Sequence, residues 1–192
     1  MMLLGSTLIN APVMSLQTGG ELARTKNAII DPADLGIVAY ELSGHRLTLH
    51  PTLLRMADVR ELSDLGLIVD SEEEFVTEHD VLKLDEIYRV KFEVINMLVT
   101  DEKRKKLGHV IDYTLDTTSF HIQQLTVRRP LLRSLNDTEL LIHRSQIIEI
   151  NDKAIVVHSE AKIPEPERKE VVGSYINPFR KPDTAPESIK RT

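Results

Sequence analysis

Seven histidines, His45, His50, His79, His109, His121, His143 and His158, are the side chains in this sequence best suited to metal binding or proton transfer. None has a second histidine four residues away with a glutamate between them, the spacing that lets one helix face hold zinc and a general base. His143 and Ser145, with Asp116 or Asp137, supply the atoms of a hydrolytic triad, but the serine lacks the flanking glycines of a nucleophile elbow. Two close carboxylate pairs, Asp31 with Asp34 and Asp112 with Asp116, fall where a short acceptor side chain locks a turn or a strand edge. The chain has no glycine-rich phosphate loop. Having no cysteine, it has no thiolate chemistry. The spacing therefore assigns no catalytic residue, no metal ligand and no cofactor, and the protein reads as a non-enzyme.

One charged cluster stands out. The stretch DEKRKK, residues 101–106, puts Lys103, Arg104, Lys105 and Lys106 at a predicted turn tip, where a mobile polycation can reach phosphates or an acidic protein surface. Arg128, Arg129 and Arg133 add to it if folding brings them near. Against RNA stand the net charge of -6 and the few stacking platforms, four Phe and four Tyr with no Trp. The same lysines also suit a plain hydrophilic hairpin that keeps a sheet edge soluble.

The elements that carry these residues are spelled twice. Leu22, Asp31 and Ile37 recur as Leu107, Asp116 and Ile122, 85 positions later, while Asn27 faces Asp112, Leu35 faces Phe120 and Leu42 faces Val127. Further on, VRELSDLGLIVDSE (59–72) lies over IIEINDKAIVVHSE (147–160) at an offset of 88, so a small insertion separates the two matching blocks. Within each unit the period is two. His109, Ile111, Tyr113 and Leu115 alternate with Val110, Asp112, Thr114 and Asp116, which predicts a strand with one buried face. In SFHIQQLTV the apolar phase switches at Gln123-Gln124, the mark of a β-bulge that bends a strand toward closure of a small barrel. The glycines of TGGE, 18–21, predict a hairpin turn, and Pro32 and Pro51 mark strand ends. Six or so short strands per unit predict a compact antiparallel barrel. Between the units, Val81, Leu84, Ile87 and Tyr88 recur at helical spacing and Asp80 is placed to cap the start. This predicts a short linker helix packed between the barrels or presented to a partner.

The residue order GSTLINAPVMSLQTGGELARTKNAIIDPADLGIVAYEL resembles the opening of a PRC-barrel domain, and VINMLVTDEKRKKLGHVIDYTLDTTSFHIQQLTV resembles it again through Leu107, Gly108, Val110, Asp112 and Asp116. The resemblance covers about residues 3–160. It departs in the first unit, where Ala23 stands for Gly108 and Lys26 for Ile111, so that strand is expected to be more exposed or distorted. It implies an all-β fold of two small PRC-type antiparallel barrels in tandem: barrel one over 1–75, an acidic connector with a short helix over 76–90, and barrel two over 91–160. This fold is shared with the cytoplasmic domain of the photosynthetic reaction-centre H subunit and the C-terminal domain of the ribosome maturation factor. The resemblance implies docking and assembly rather than catalysis, with protein partners, and ribosome or RNA association as the alternative.

Charge is distributed unevenly along the chain. Residues 1–87 hold 6 Lys and Arg against 15 Asp and Glu, whereas residues 88–160 hold 11 against 10. Oppositely biased halves suit head-to-tail association into a homo-oligomer, and the acidic run also suits a simple solvated surface. No apolar run is long enough to cross a bilayer, and the first residues lack a basic region followed by a continuous apolar one, so a cytoplasmic location is expected. The tail, 161–192, holds five of the nine prolines and both charge signs, which predicts a flexible, disordered segment. Within it, VVGSYINPFRK (171–181) is more apolar than a spacer needs. Tyr175 and Phe179 are its candidate partner-binding residues, by strand addition or on a separate protein.

Overall fold

Short runs of branched and aliphatic residues form the strands, several of them bounded by Gly, Pro or Asp, as β3 is at Asp31-Pro32 and β7 at Gly66 and Asp70. The computed structural model describes residues 1–129 and 139–158. The first half holds β1 (Met2–Leu4), β2 (Pro12–Ser15), β3 (Glu21–Asp31), β4 (Gly36–Ser43), β5 (Leu53–Arg55), β6 (Glu61–Ser63), β7 (Gly66–Val69) and β8 (Phe75–Val76). One helix, α1 (Leu82–Val90), leads to β9 (Leu98–Asp101), β10 (Lys106–Asp116), β11 (Ile122–Arg128), β12 (Glu139–His143), β13 (Ile147–Ile150) and β14 (Ala154–Val157).

The repeat read from the sequence is a repeat of topology. One sheet runs β6-β7-β2-β3-β4-β5-β8 and the other β13-β14-β9-β10-β11-β12. All pairs are antiparallel except β2 with β7 and β9 with β14, which are parallel and share an equivalent register, Val13 opposite Leu67 and Val99 opposite Ile155. The fold is all-β apart from α1 and short 3-10 turns. Such a turn joins β5 to β6 (Met56–Asp58) in the first sheet and the equivalent β12 to β13 (Arg144–Gln146) in the second.

The bulges recur too. Opposite β10, Gln123 is the extra residue of β11, and opposite β3, Val38 is the extra residue of β4, 85 positions earlier. The apolar phase switch at Gln123 therefore has the cause the sequence suggested. A second bulge in β10, at Ile111, corrects the expected alternation. Val110, Tyr113 and Leu115 are buried while His109 is exposed, because the extra residue flips the inward face halfway along the strand. Its counterpart in β3 is the pair Lys26–Asn27, so the distortion expected at Lys26 is present in both halves.

Met1–Ser159 form one compact unit. Its core is continuous across the halves, with Val13, Tyr40, Leu54 and Leu67 of the first and Val99, Leu125, Ile142 and Ile155 of the second in one buried cluster. The halves meet through their backbones. Ile37 N–H donates to Phe120 O (2.9 Å) and Ile122 N–H to Leu35 O (3.0 Å), bridging β4 and β11 antiparallel about Gly36 and His121. Leu35 and Phe120, both at positive φ (56° and 53°), make the turns that present these carbonyls. β1 crosses over and pairs with β10, Leu3 opposite Leu115, so the chain start belongs to the second sheet.

Helix α1 forms where the 3.6-residue period placed it, but it does not pack between the halves. Leu84 and Ile87 are buried, and Leu84 packs with Ala39, Leu53 and the half-buried Ile29, Val38 and Tyr88 on the outer face of the first sheet. Burial of two such side chains is worth about 1.5–3 kcal/mol each. Asp80 is not its cap. The Asp80 carboxylate accepts from Thr77 N–H and Oγ, and Val81 takes the N-cap position without a side-chain bond. The second sheet needs no such cover, because Ile29, Val38 and Ala39 are replaced by Thr114, Gln123 and Gln124, which leaves only Leu141 in place of Leu53. Among the described residues no helix is long and apolar enough to cross a membrane.

Candidate functional site

Several of the groups that looked able to do chemistry are engaged in local turns and caps. His143 Nδ1 takes a hydrogen bond from Ser145 N–H (3.2 Å) and lies 2.8 Å from Ser145 Oγ, while His143 N–H donates to Gln146 Oε1 (2.8 Å). That is the cap of the 3-10 turn Arg144–Gln146. Asp116 lies elsewhere, accepting from Ser119 N–H and Oγ and facing the Met1 ammonium at 3.4 Å; these hydrogen bonds, from the Ser119 hydroxyl first, hold its carboxyl below the usual range. Asp137 lies outside the described residues. Asp31 accepts from Ala33 N–H and Asp34 from Gly36 N–H, each closing the turn between β3 and β4. Asp34 also lies 3.4 Å from His121 Nε2 across the junction of the halves, and its backbone carbonyl accepts from Arg144. Burial pushes the Asp34 carboxyl up, but the Gly36 and His121 hydrogen bonds outweigh it and the net shift is downward. No group of three His, Asp or Glu side chains able to hold a metal occurs among the described residues.

The basic cluster sits where the sequence put it, on the β9–β10 hairpin. Asp101, buried at the base, accepts from Lys103 N–H (2.9 Å) and Lys105 N–H (2.8 Å), and Arg104 takes a positive φ of 61° at the tip. One carboxylate thus fixes the backbone, and Lys103, Arg104, Lys105 and Lys106 all project into solvent. None is within ion-pair distance of a described carboxylate, while Glu102 on the same tip is taken by His158 at 2.6 Å. Arg128 and Arg129 lie at this end of the sheet, since β11 finishes where β10 begins, opposite His109. Arg133, Tyr175 and Phe179 lie outside the described residues.

One concave site of the described residues was passed over by the sequence reading. A cleft of about 330 Å³ opens between the halves, lined by both. Its walls are Ile9 and Ile30 from the first half and Val94, Ile95 and Ile111 from the second, with Asn27, Glu93 and Asp112 at its polar margin. The two β bulges help place it, for Asn27 belongs to the bulged pair of β3 and Ile111 is the extra residue of β10. Positive φ at Asn10 (61°) and Asn96 (68°) turns the chain after each isoleucine. Ile9 and Ile95 are partly exposed, at 46% and 38%. A signal for this was present: Leu8-Ile9-Asn10 lies over Val94-Ile95-Asn96 at an offset of 86, a match outside the two blocks that defined the repeat.

Most polar groups of the cleft are already committed within the molecule. Asp112 accepts from Ser6 N–H, Ser6 Oγ and Tyr113 N–H, and Asn27 donates to Glu41, which also holds Lys26 at 2.8 Å. Behind the wall, Gly5 leaves room for the Tyr113 ring, which would lie 2.3 Å from a Cβ at that position. The Tyr113 phenol is 3% exposed and burial pushes it up to about 12. Tyr40, also fully buried, is likewise pushed well above its ordinary value by burial, and its hydroxyl has no hydrogen-bond partner among the described residues. The cleft therefore offers an apolar wall of five residues with a margin whose Asp112 and Asn27 are already paired within the molecule. No protein-family model matches the chain, and no curated protein matches it.

Proposed function

We propose that this protein is a non-catalytic docking and assembly module built from two PRC-type barrels, and that the cleft between the halves takes an apolar anchor from a protein partner. The observation that carries this reading is the cleft, contributed by both halves and walled by Ile9, Ile30, Val94, Ile95 and Ile111. Partly exposed apolar residues around a hole are what an interface core needs, and single scattered ones are not. The barrel assignment is supported by the twice-repeated six-strand order with its one internal parallel pair and by the bulges in β4 and β11.

The test is comparative capture. Wild-type protein, the cleft variants Ile9→Lys and Ile95→Lys, and the control Leu65→Lys, a residue 67% exposed outside the cleft, are used as bait, with mass spectrometry of what binds. A partner retained by wild type and control but lost from both cleft variants is the expected result. The same partner set on all four baits, or a small molecule co-purifying in the cleft, overturns the reading. A second reading, an RNA-associated factor using the basic hairpin, is favoured by its four side chains without described ion pairs. It predicts RNA affinity that falls steeply with salt and depends on Lys103 and Lys105.

A further inference from the structure

The two halves carry opposite charge at opposite ends. β3 and β10 each run 11 residues, about 35 Å, from a hairpin tip to the junction. Because β4 and β11 meet antiparallel at their first residues, those strands diverge and the two hairpin tips point away from each other. At the second half's tip stand Lys103, Arg104, Lys105 and Lys106, backbone-fixed by Asp101, with Arg128 behind them. The first half's equivalent hairpin, residues 16–20, has no charge at all. Next to it, however, the chain leaves β7 through Asp70 into Glu72–Glu74. Arg60 engages Asp70 in a forked ion pair, but Glu72 and Glu73 are exposed and no described cation pairs with them. Ser71 Oγ accepts from Glu73 N–H at 3.2 Å, so this acidic rim is also fixed on its backbone. Other charges near the poles are Glu21, held by Arg24, the exposed Glu61, and His45 and Arg46 on the β4–β5 loop; Glu139 faces Arg128 across β11 and β12.

From this arrangement we propose that a second copy of this chain is a binding partner, with the basic hairpin 103–106 of one copy docking on the Glu72–Glu73 rim of the next. The distance between the poles prevents one chain from pairing its own ends, so the complementary charges are satisfied only between copies. Such a contact joins two different surfaces, so it produces head-to-tail chains, or rings where the rotation between copies closes. Nucleic acid is the less favoured occupant of the hairpin because residues 1–87, with 15 Asp and Glu against 6 Lys and Arg, repel a polyanion and attract another copy's cations. Each exposed ion pair changes affinity only a few-fold, so assembly is weak, reversible and salt-sensitive.

The experiment is sedimentation of the full chain over a hundredfold range of concentration, in about 0.02 M and about 0.5 M salt. The wild type is expected to grow in average mass with concentration at low salt and to fall to the 21.8 kDa monomer at high salt. Lys103→Glu with Lys105→Glu, or Glu72→Lys with Glu73→Lys, should each abolish growth without altering thermal unfolding. Combining all four changes in one chain should restore it, which a merely misfolded variant cannot do. A monomer at every low-salt concentration, or association indifferent to both reversals, overturns the proposal. So does wild type that stays monomeric while a single-stranded RNA oligomer binds it and not the hairpin reversal, because the hairpin's partner is then a nucleic acid.

Discussion

Replacing Thr25 by valine tests how the two halves solve one packing problem differently. Thr25, 1% exposed, donates from Oγ1 to Leu8 O (2.6 Å) and accepts from Ala11 N–H (2.9 Å), so its hydroxyl stands between two backbone groups of the preceding turn. At the equivalent place in the second half stands Val110, which has no hydroxyl, and there Met97 N–H donates directly to Val94 O at 3.3 Å. Thr25→Val removes two hydrogen bonds worth about 1 kcal/mol each net. If the first half's turn tightens as the second half's has, Ala11 N–H regains Leu8 O as partner and about 1 kcal/mol returns. The expected loss is therefore about 1 kcal/mol, a fall of roughly 2–4 °C in Tm for a unit of this size. Had the turn no such route, the buried N–H would stay unpaired and the loss would be about 2–3 kcal/mol or more. Urea unfolding followed by circular dichroism measures the difference, provided the m-value is unchanged. A loss of about 2 kcal/mol or more would refute the idea that the halves are interchangeable at this turn. No loss at all would show that the hydroxyl contributes nothing.

Two further perturbations follow from particular contacts. Gly108→Ala should destabilise the protein by about 1–3 kcal/mol or more, because a Cβ there would lie 2.0 Å from the backbone oxygen of Arg128, which cannot swing aside; equilibrium unfolding reads this, and a neutral result would place the strand elsewhere. Because burial raises the Tyr113 pKa to about 12, folding stability is complete below the phenol's unfolded pKa of about 10 and is lost as pH rises through 10 to 12, by roughly 2–3 kcal/mol in total. Stability measured for wild type and Tyr113→Phe should differ by a constant amount below pH about 10, and from 10 to 12 the wild type alone should lose roughly 2–3 kcal/mol; a difference that stays constant through the window would contradict the burial argument.

Much of the fold was legible because the repeat made the sequence its own comparison. The bulge at Gln123 showed in apolar phase alone, and α1 showed in the spacing of Leu84, Ile87 and Tyr88. The bulge at Ile111 did not show, because Ile111 is itself apolar and preserves the apparent alternation that the extra residue breaks. Nor could spacing reveal what α1 packs on, since an apolar stripe specifies burial but not the surface that buries it. The three residues of β1 are too few to name a partner strand, and their choice of β10 rests on contacts more than a hundred positions away. The basic hairpin was legible because local turn chemistry decides it. The cleft was not, because it exists only where segments distant in sequence are brought together.

The reciprocal bonds between Ile37 and Phe120 and between Ile122 and Leu35 bear on how this chain could be cut or rewired. Each buried N–H finds its acceptor only in the other half, so a gene fragment encoding either half alone would leave a strand end with an orphaned donor and a bare core face. Two such fragments supplied together, however, would each complete the other. Fission between Val90 and Val94, after the helix, should therefore yield pieces that fail separately and reconstitute when mixed. The two halves are mutual templates, and the covalent link between them serves to keep their local concentration high.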